Sequence, residues 1–241
     1  MLHVRHIASI LLLLLVFGCN STTATNPTTY TGTPISIGTG TANTWVYTNA
    51  SGNLSAVGVT ISDAALASIG TKDSMFELPM PAGVSCIIKS IALDYATHDA
   101  APYNKPHIDP HFFLLDMSAR MSMMGGGKDG KMPTNMMMPS GYTTDSVLEP
   151  MMGVHWMDTT SSEFHGTPFQ CAFDYGTSMG SMVFYEVMCD KSSLEGHKSI
   201  TNTIRQPSMM GGGMMMTSIP ASYKVSYDAT AKTTTIELDG F

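Results

Sequence analysis

Charge is scarce in this chain. Only 13% of its 241 residues are charged, 12 Lys and Arg against 19 Asp and Glu, giving a formal net charge of -7. An acidic, charge-poor chain has no electrostatic footprint for nucleic acid, so no nucleic-acid partner is expected. Cysteine is scarce as well. Four residues with no Cys-x-x-Cys exclude a disulfide-dense miniprotein and give no support to a zinc ribbon or a thioredoxin-like site. The composition also excludes a coiled coil and a collagen-like fibre. No nucleophile elbow, His-Glu-x-x-His pair or phosphate loop is present, so no catalytic motif supports an enzyme. Hydrophobic residues still make up 43%, enough for a core, so the whole chain is not disordered.

The apolar run Ile7–Phe17 is shorter than the roughly 20 residues that cross a bilayer. Behind Arg5 it reads as the apolar region of a secretory signal. Leu15-Val16-Phe17-Gly18-Cys19 resembles a bacterial lipobox, which implies a signal over 1–18 and lipidation of Cys19. Several acyl chains on one Cys anchor a protein stably to a membrane. Asn20 after the Cys points to the outer membrane. His3 and His6 leave with the signal, and the remaining His lie between His98 and His197. Residues 19–43 are rich in Thr, Ser, Gly and Pro, and read as a flexible tether.

One single-domain β-rich fold is expected over 44–241. Thr44–Thr48 and Ala56–Ser62 carry strand composition, and Asp63–Ile69 is a short helical patch. Val84–Tyr95 reads as a long strand apolar on both faces, and Phe112–Met117 as another. Pro168–Tyr175 and Met182–Cys189 flank the turn-type segment Gly176–Ser181, placing Cys171 and Cys189 symmetrically for a cross-hairpin disulfide. Ser199–Arg205 is a further strand candidate. Tyr223–Asp228 and Thr233–Asp239 form a C-terminal hairpin. Short strands, turn signals and little helix define an all-β antiparallel sandwich or barrel.

Methionine is the excess: 22 residues. Two insertions hold most of them. Residues 121–141 contain Met121, Met123, Met124, Met132, Met136, Met137 and Met138. Residues 208–218 contain Met209, Met210, Met214, Met215 and Met216. Both include Met-Met-Gly-Gly-Gly. Three glycines in a row hold neither strand nor helix, so both insertions are expected to be loops. Thioethers are soft, neutral ligands that select Cu(I), which makes these loops soft-metal candidates. Met is equally a flexible apolar filler.

The densest polar cluster is His98-Asp99 with Pro106-His107-Ile108-Asp109-Pro110-His111-Phe112-Phe113. On a flat strand His107, Asp109 and His111 face one side, but His107 and His111 would then be about 13 Å apart. Either neighbours such as Asp109 and His111 share an ion, or Asp109-Pro110 turns and folds His107 back. His155 and Glu186 are further ligand candidates. Imidazole suits zinc, copper, iron and nickel, and a carboxylate adds charge.

These motifs resemble an uncharacterised bacterial family of secreted β-rich domains. Its members carry a Pro-His-Phe-Asp-x-His-Phe strand and a Gly-Val-His-Trp motif, here Gly153-Val154-His155-Trp156. Glu163 to Phe169, Phe184–Met188 and Ile219–Tyr223 continue the likeness in order over most of 54–241. This chain departs from it at Ile108 and Pro110. The resemblance implies a β-rich extracytoplasmic domain with His98, His107, Asp109, His111, His155 and Glu186 as the site. The first functional expectation is an envelope lipoprotein binding a divalent transition metal or Cu(I). The second is a non-catalytic module that assembles into a homo-oligomer at the cell envelope.

Overall fold

The computed structural model describes residues 26–97, 99–127, 131, 136–209 and 219–241. In chain order the strands are β1 (Thr28–Thr31), β2 (Ile35–Ile37), β3 (Gly40–Thr48), β4 (Leu54–Ser62), β5 (Ser74–Leu78), β6 (Ser90–Ala96), β7 (His107–Phe113) and β8 (Met136–Met137). They continue with β9 (Tyr142–Thr143), β10 (Val154–Asp158), β11 (Cys171–Ser178), β12 (Ser181–Asp190), β13 (Ile200–Thr203), β14 (Ser208–Met209), β15 (Ser222–Asp228) and β16 (Thr233–Asp239). The helices α1 (Asp63–Ser68), α2 (Met117–Met121) and α3 (Lys191–Glu195) are each about one turn. No helix among the described residues is long and apolar enough to cross a membrane.

Two antiparallel sheets pack face to face as a sandwich. The first runs β1-β3-β4-β16-β15-β13, with β2 on β3; the second runs β5-β6-β7-β12-β11-β10-β9. Period-two alternation sends Val46, Val57, Val59, Ile61, Ile236 and Leu238 inward from the first sheet. Ile91, Leu93, Ile108, Phe112, Tyr185 and Val187 meet them from the second. Cys171 and Cys189 are direct partners across β11 and β12 and form a disulfide, with Cα atoms 4.1 Å apart.

The sheet begins earlier than the sequence suggested. Residues 28–43, read as tether, supply β1, β2 and the start of β3. Thr28–Thr31 is a β-branched and aromatic run, and Ile37 is only 1% exposed. Low charge marked this stretch as linker, but its β-propensity and apolar residues place it in the sheet. The long strand expected over Val84–Tyr95 starts only at Ser90. Its neighbours end there: Ser90 is opposite Phe113 of β7, and Ile91 is opposite Leu78 of β5. The strand expected over Phe112–Met117 instead ends at Phe113.

Pro110 does not bend its strand. It lies in β7, opposite Leu93, with every residue of the strand buried. On the other side the β7–β12 ladder skips Asp109 and Pro110 without changing register. A proline supplies no N–H, so a ladder opens locally where it sits.

The two Met-rich segments are not wholly loops. Met136 and Met137 pair with Met209 and Ser208 as β8–β14. Met121, Met124 and Met137 are exposed, Met123 is half-buried, and Met138 packs against the main core. Met132, Met210, Met214, Met215 and Met216 lie outside the described residues, as do Cys19 and the signal segment.

Candidate metal centre

Alternation also builds the site. The residues of the second sheet that do not face the core face outward on its other side. On adjacent strands these are Ala92 and Asp94 of β6, His107, Asp109 and His111 of β7, Glu186 of β12, Asp174 of β11 and His155 of β10. This second face is covered rather than solvated. Ala92, Phe113, Val183 and Phe184 form a small apolar cluster with Leu115 and Met152. Tyr103, Phe169, Ala172 and Met188 form another with Met157 and Phe164. The carboxylates and imidazoles lie on the face that carries both.

Three side chains from three strands converge. His111 Nε2 is 3.3 Å from His155 Nε2 and 3.5 Å from Glu186 Oε1; His155 Nε2 is 3.3 Å from Glu186 Oε2. One ligand atom from each lies within 4.8 Å of the others, a spacing that can hold a metal ion. His111 and Glu186 are opposite one another in β7 and β12. His155 arrives over Gly176, its partner in β11. A Cβ on Gly176 would sit 2.0 Å from the Phe184 ring. The missing side chain therefore lets Phe184 lie against both imidazoles, with ring centroids 5.0 Å from His111 and 4.9 Å from His155. Those contacts restrict both rings.

The cover is pinned by Arg120 of α2, which is fully buried. Its guanidinium stacks 3.6 Å over Phe113, donates to Glu77 at 2.8 Å and donates from Nε to the Met151 carbonyl. The segment leading into β10 and His155 is thereby tied to the sheet.

Protonation favours ligation at His155 and opposes it at Glu186, where a bound cation would have to displace the proton. His111 Nδ1 lies 3.1 Å from the Asp109 carbonyl oxygen, an acceptor, and a hydrogen on that nitrogen leaves Nε2 free to ligate. Asp94 Oδ2 lies 3.1 Å from the same Nδ1, a carboxylate behind the imidazole. Burial, with the neighbouring His111 charge, pushes the His155 pKa down to about 3, so the ring is neutral at physiological pH. Burial, followed by the charges of Asp109, Asp174 and Asp94, holds the Glu186 carboxyl well above the usual carboxylate range. Glu186 Oε2 and Asp174 Oδ1 are buried without hydrogen-bond partners. A divalent cation would offset that accumulation of negative charge.

A quarter of the His155 side chain remains exposed. Two adjoining cavities, of about 530 and 340 Å³, share His155, Glu186, Asp99 and Glu149 in their linings. No Lys or Arg among the described residues lines either one. Three protein ligands beside open space leave a fourth position for water or another ligand.

Of the sequence candidates, His111, His155 and Glu186 come together, while His98 lies outside the described residues. His107 and Asp109 share the face but fall outside the group of three. His107 donates toward the Lys105 carbonyl at one nitrogen, and its Nε2 lies 3.1 Å from Asp99 and 3.2 Å from Asp109. Burial alone would lower its pKa, but the Asp99 hydrogen bond, Asp109 and the Lys105 carbonyl raise it to about 9. It is a charged partner of two carboxylates. Asp94 and Asp174 were missed. The signal was present: each is the lone charge in an otherwise uncharged strand, Ser90–Ala96 and Cys171–Ser178. Comparison with family models, curated proteins and solved structures finds no match, and the geometry above is what bears on function.

Proposed function

We propose that this protein is a lipid-anchored envelope protein that binds one divalent transition metal through His111, His155 and Glu186. The carrying observation is that one ligand atom from each lies within 4.8 Å of the others, with the two imidazole Nε2 atoms 3.3 Å apart. A tetrahedral ion with bonds of about 2.0–2.1 Å spaces its ligands about 3.3 Å apart. Zinc fits the spacing of the imidazole pair and this donor set, two imidazoles and a carboxyl group. The anchor rests on the Leu15–Cys19 motif, and the outer membrane on Asn20. The likeness to secreted β-rich domains supports the same location. The test is elemental analysis of the protein purified without a His tag. Near-stoichiometric metal, absent from His155→Ala, supports the reading. A metal-free protein that forms a defined homo-oligomer in light scattering supports the structural module instead.

Asp94 supports His111 from behind. Removing such a carboxylate typically lowers metal affinity about 10–100-fold. Asp94→Asn is expected to weaken zinc by that factor, in buffer free of other divalent ions, without changing stoichiometry. Competition against a chromogenic zinc chelator measures it, and an unchanged affinity removes Asp94 from the site.

Copper handling is the second reading, favoured by the β8–β14 pairing, which joins the two Met-rich segments, and by the exposure of Met121, Met124 and Met137. Thioethers select Cu(I), whereas the His and Glu group suits divalent ions. In anaerobic titration against a Cu(I) chelator, the wild-type protein is expected to compete. A variant with Met121, Met124, Met137, Met209 and Met210 changed to Leu is expected to compete about tenfold less well, one decade being about 1.4 kcal/mol. Equal competition by the two proteins rejects the copper role.

A further inference from the structure

The same cavity holds carboxylates that the three-ligand site does not use. Asp94 and Asp109 are direct partners across β6 and β7. Directly opposite side chains in such a pair have Cβ atoms about 4.5–5.5 Å apart, and like charges there destabilise a sheet. Both line the cavity of about 530 Å³, together with Asp99 and Glu149. Asp109 is 5% exposed, and its Oδ1 is buried without a hydrogen-bond partner. Its other oxygen faces His107 at 3.2 Å. Asp94 Oδ1 is likewise buried without a hydrogen-bond partner, while its Oδ2 lies 3.1 Å from His111 Nδ1. Each of the two facing carboxylates thus keeps one buried oxygen without a hydrogen-bond partner, beside a cavity that no Lys or Arg among the described residues lines.

We propose that Asp94 and Asp109 form a second cation site, on the Nδ1 side of His111, that takes one hard divalent cation through carboxylate oxygens. Calcium, manganese and magnesium prefer an all-oxygen shell completed by water. Here Asp94 and Asp109 supply the inner oxygens, with Asp99 and Glu149 at the rim of the same cavity. The donor set separates the two sites: imidazole nitrogen holds the borderline metal at one, oxygen alone holds the hard cation at the other. This assignment does not depend on what occupies His111, His155 and Glu186.

The test is a Mn²⁺ titration of the whole protein with one equivalent of zinc present, reading free Mn²⁺ by its electron paramagnetic resonance signal. Wild type and His155→Ala are each expected to bind one Mn²⁺. Asp109→Asn keeps its zinc and binds Mn²⁺ at least tenfold more weakly. Asp94→Asn shows the same loss, so the result does not hang on the folding of one variant. Absence of binding to both wild type and His155→Ala up to about 1 mM, the weak end for extracellular oxygen-ligand sites, overturns the proposal. So does binding lost in His155→Ala and retained in Asp109→Asn. Failure of the zinc reading shows separately, as wild type that retains no zinc while its Mn²⁺ titration still reads the second site.

Discussion

Saturating zinc is expected to raise the melting temperature of the wild-type protein by about 8–16 °C and to leave His155→Ala unmoved. A ligand that binds only the folded state stabilises it by about 4 kcal/mol at a thousand times its Kd. For a domain of this size, each kcal/mol shifts the melting temperature by about 2–4 °C. The proposed ligands come from β7, β10 and β12, so unfolding scatters them and the linkage would apply in full. Glu186→Gln separates binding from packing. It keeps the side chain's shape, removes the charge, and is expected to lose the zinc shift. Its metal-free form is expected to be more stable than metal-free wild type. In wild type the carboxyl is 3% exposed, with one oxygen unpartnered and other carboxylates near it. A buried carboxyl whose pKa is raised on folding costs stability once pH exceeds its unfolded value. Scanning calorimetry with chelator and then with zinc measures both effects. An equal zinc shift in all three proteins would remove these residues from the metal site.

The sheet face was legible where one rule decided it. Strand alternation and turn residues placed β4, α1, the β11–β12 hairpin with its disulfide, and the β15–β16 hairpin within a few residues. The same alternation put His107, Asp109 and His111 on one face. What it could not supply was the partner. Ligands at i and i+2 on a strand compete poorly with residues directly opposite on the next strand, and register is a tertiary property. His111 therefore finds Glu186, 75 positions along the chain, and not Asp109. The bend expected at Pro110 failed for a related reason. Ile108 and Phe112 carry β7 through the core, and one missing ladder bond costs less than losing that burial. Residues 28–43 were misread because charge content was weighed above β-propensity. Asp94 and Asp174 were visible as lone charges in uncharged strands, a pattern worth reading as a site whenever the strand is central.

His107 makes the metal-free fold sensitive to alkali. Its side chain is fully buried between Asp99 and Asp109, and its pKa is about 9 in the folded protein. The ordinary value is about 6.5. A base whose pKa rises on folding contributes stability that is fully present below its unfolded pKa. That contribution is lost as pH rises through the folded value. Each tenfold change in proton affinity is about 1.4 kcal/mol, so the His107 contribution is on the order of 3 kcal/mol at pH 6.5 and vanishes above pH 9. His155 acts in the opposite direction: its pKa falls on folding, so it weakens the protein only as pH drops below about 6.5. Above that pH His155 is neutral in both states and silent. The raised carboxyls of Asp109, Asp174 and Glu186 act with His107, since their cost grows as pH rises. Comparison with His107→Gln separates the imidazole, together with its effect on Asp109, from Asp174 and Glu186. Urea midpoints measured in chelator at pH 6.5 and above pH 9 are expected to fall steeply for wild type. The variant should start lower and fall by on the order of 3 kcal/mol less across the same window. Parallel slopes for the two proteins would mean that His107 stays neutral in the fold, and its two carboxylate contacts would then be polar packing without charge.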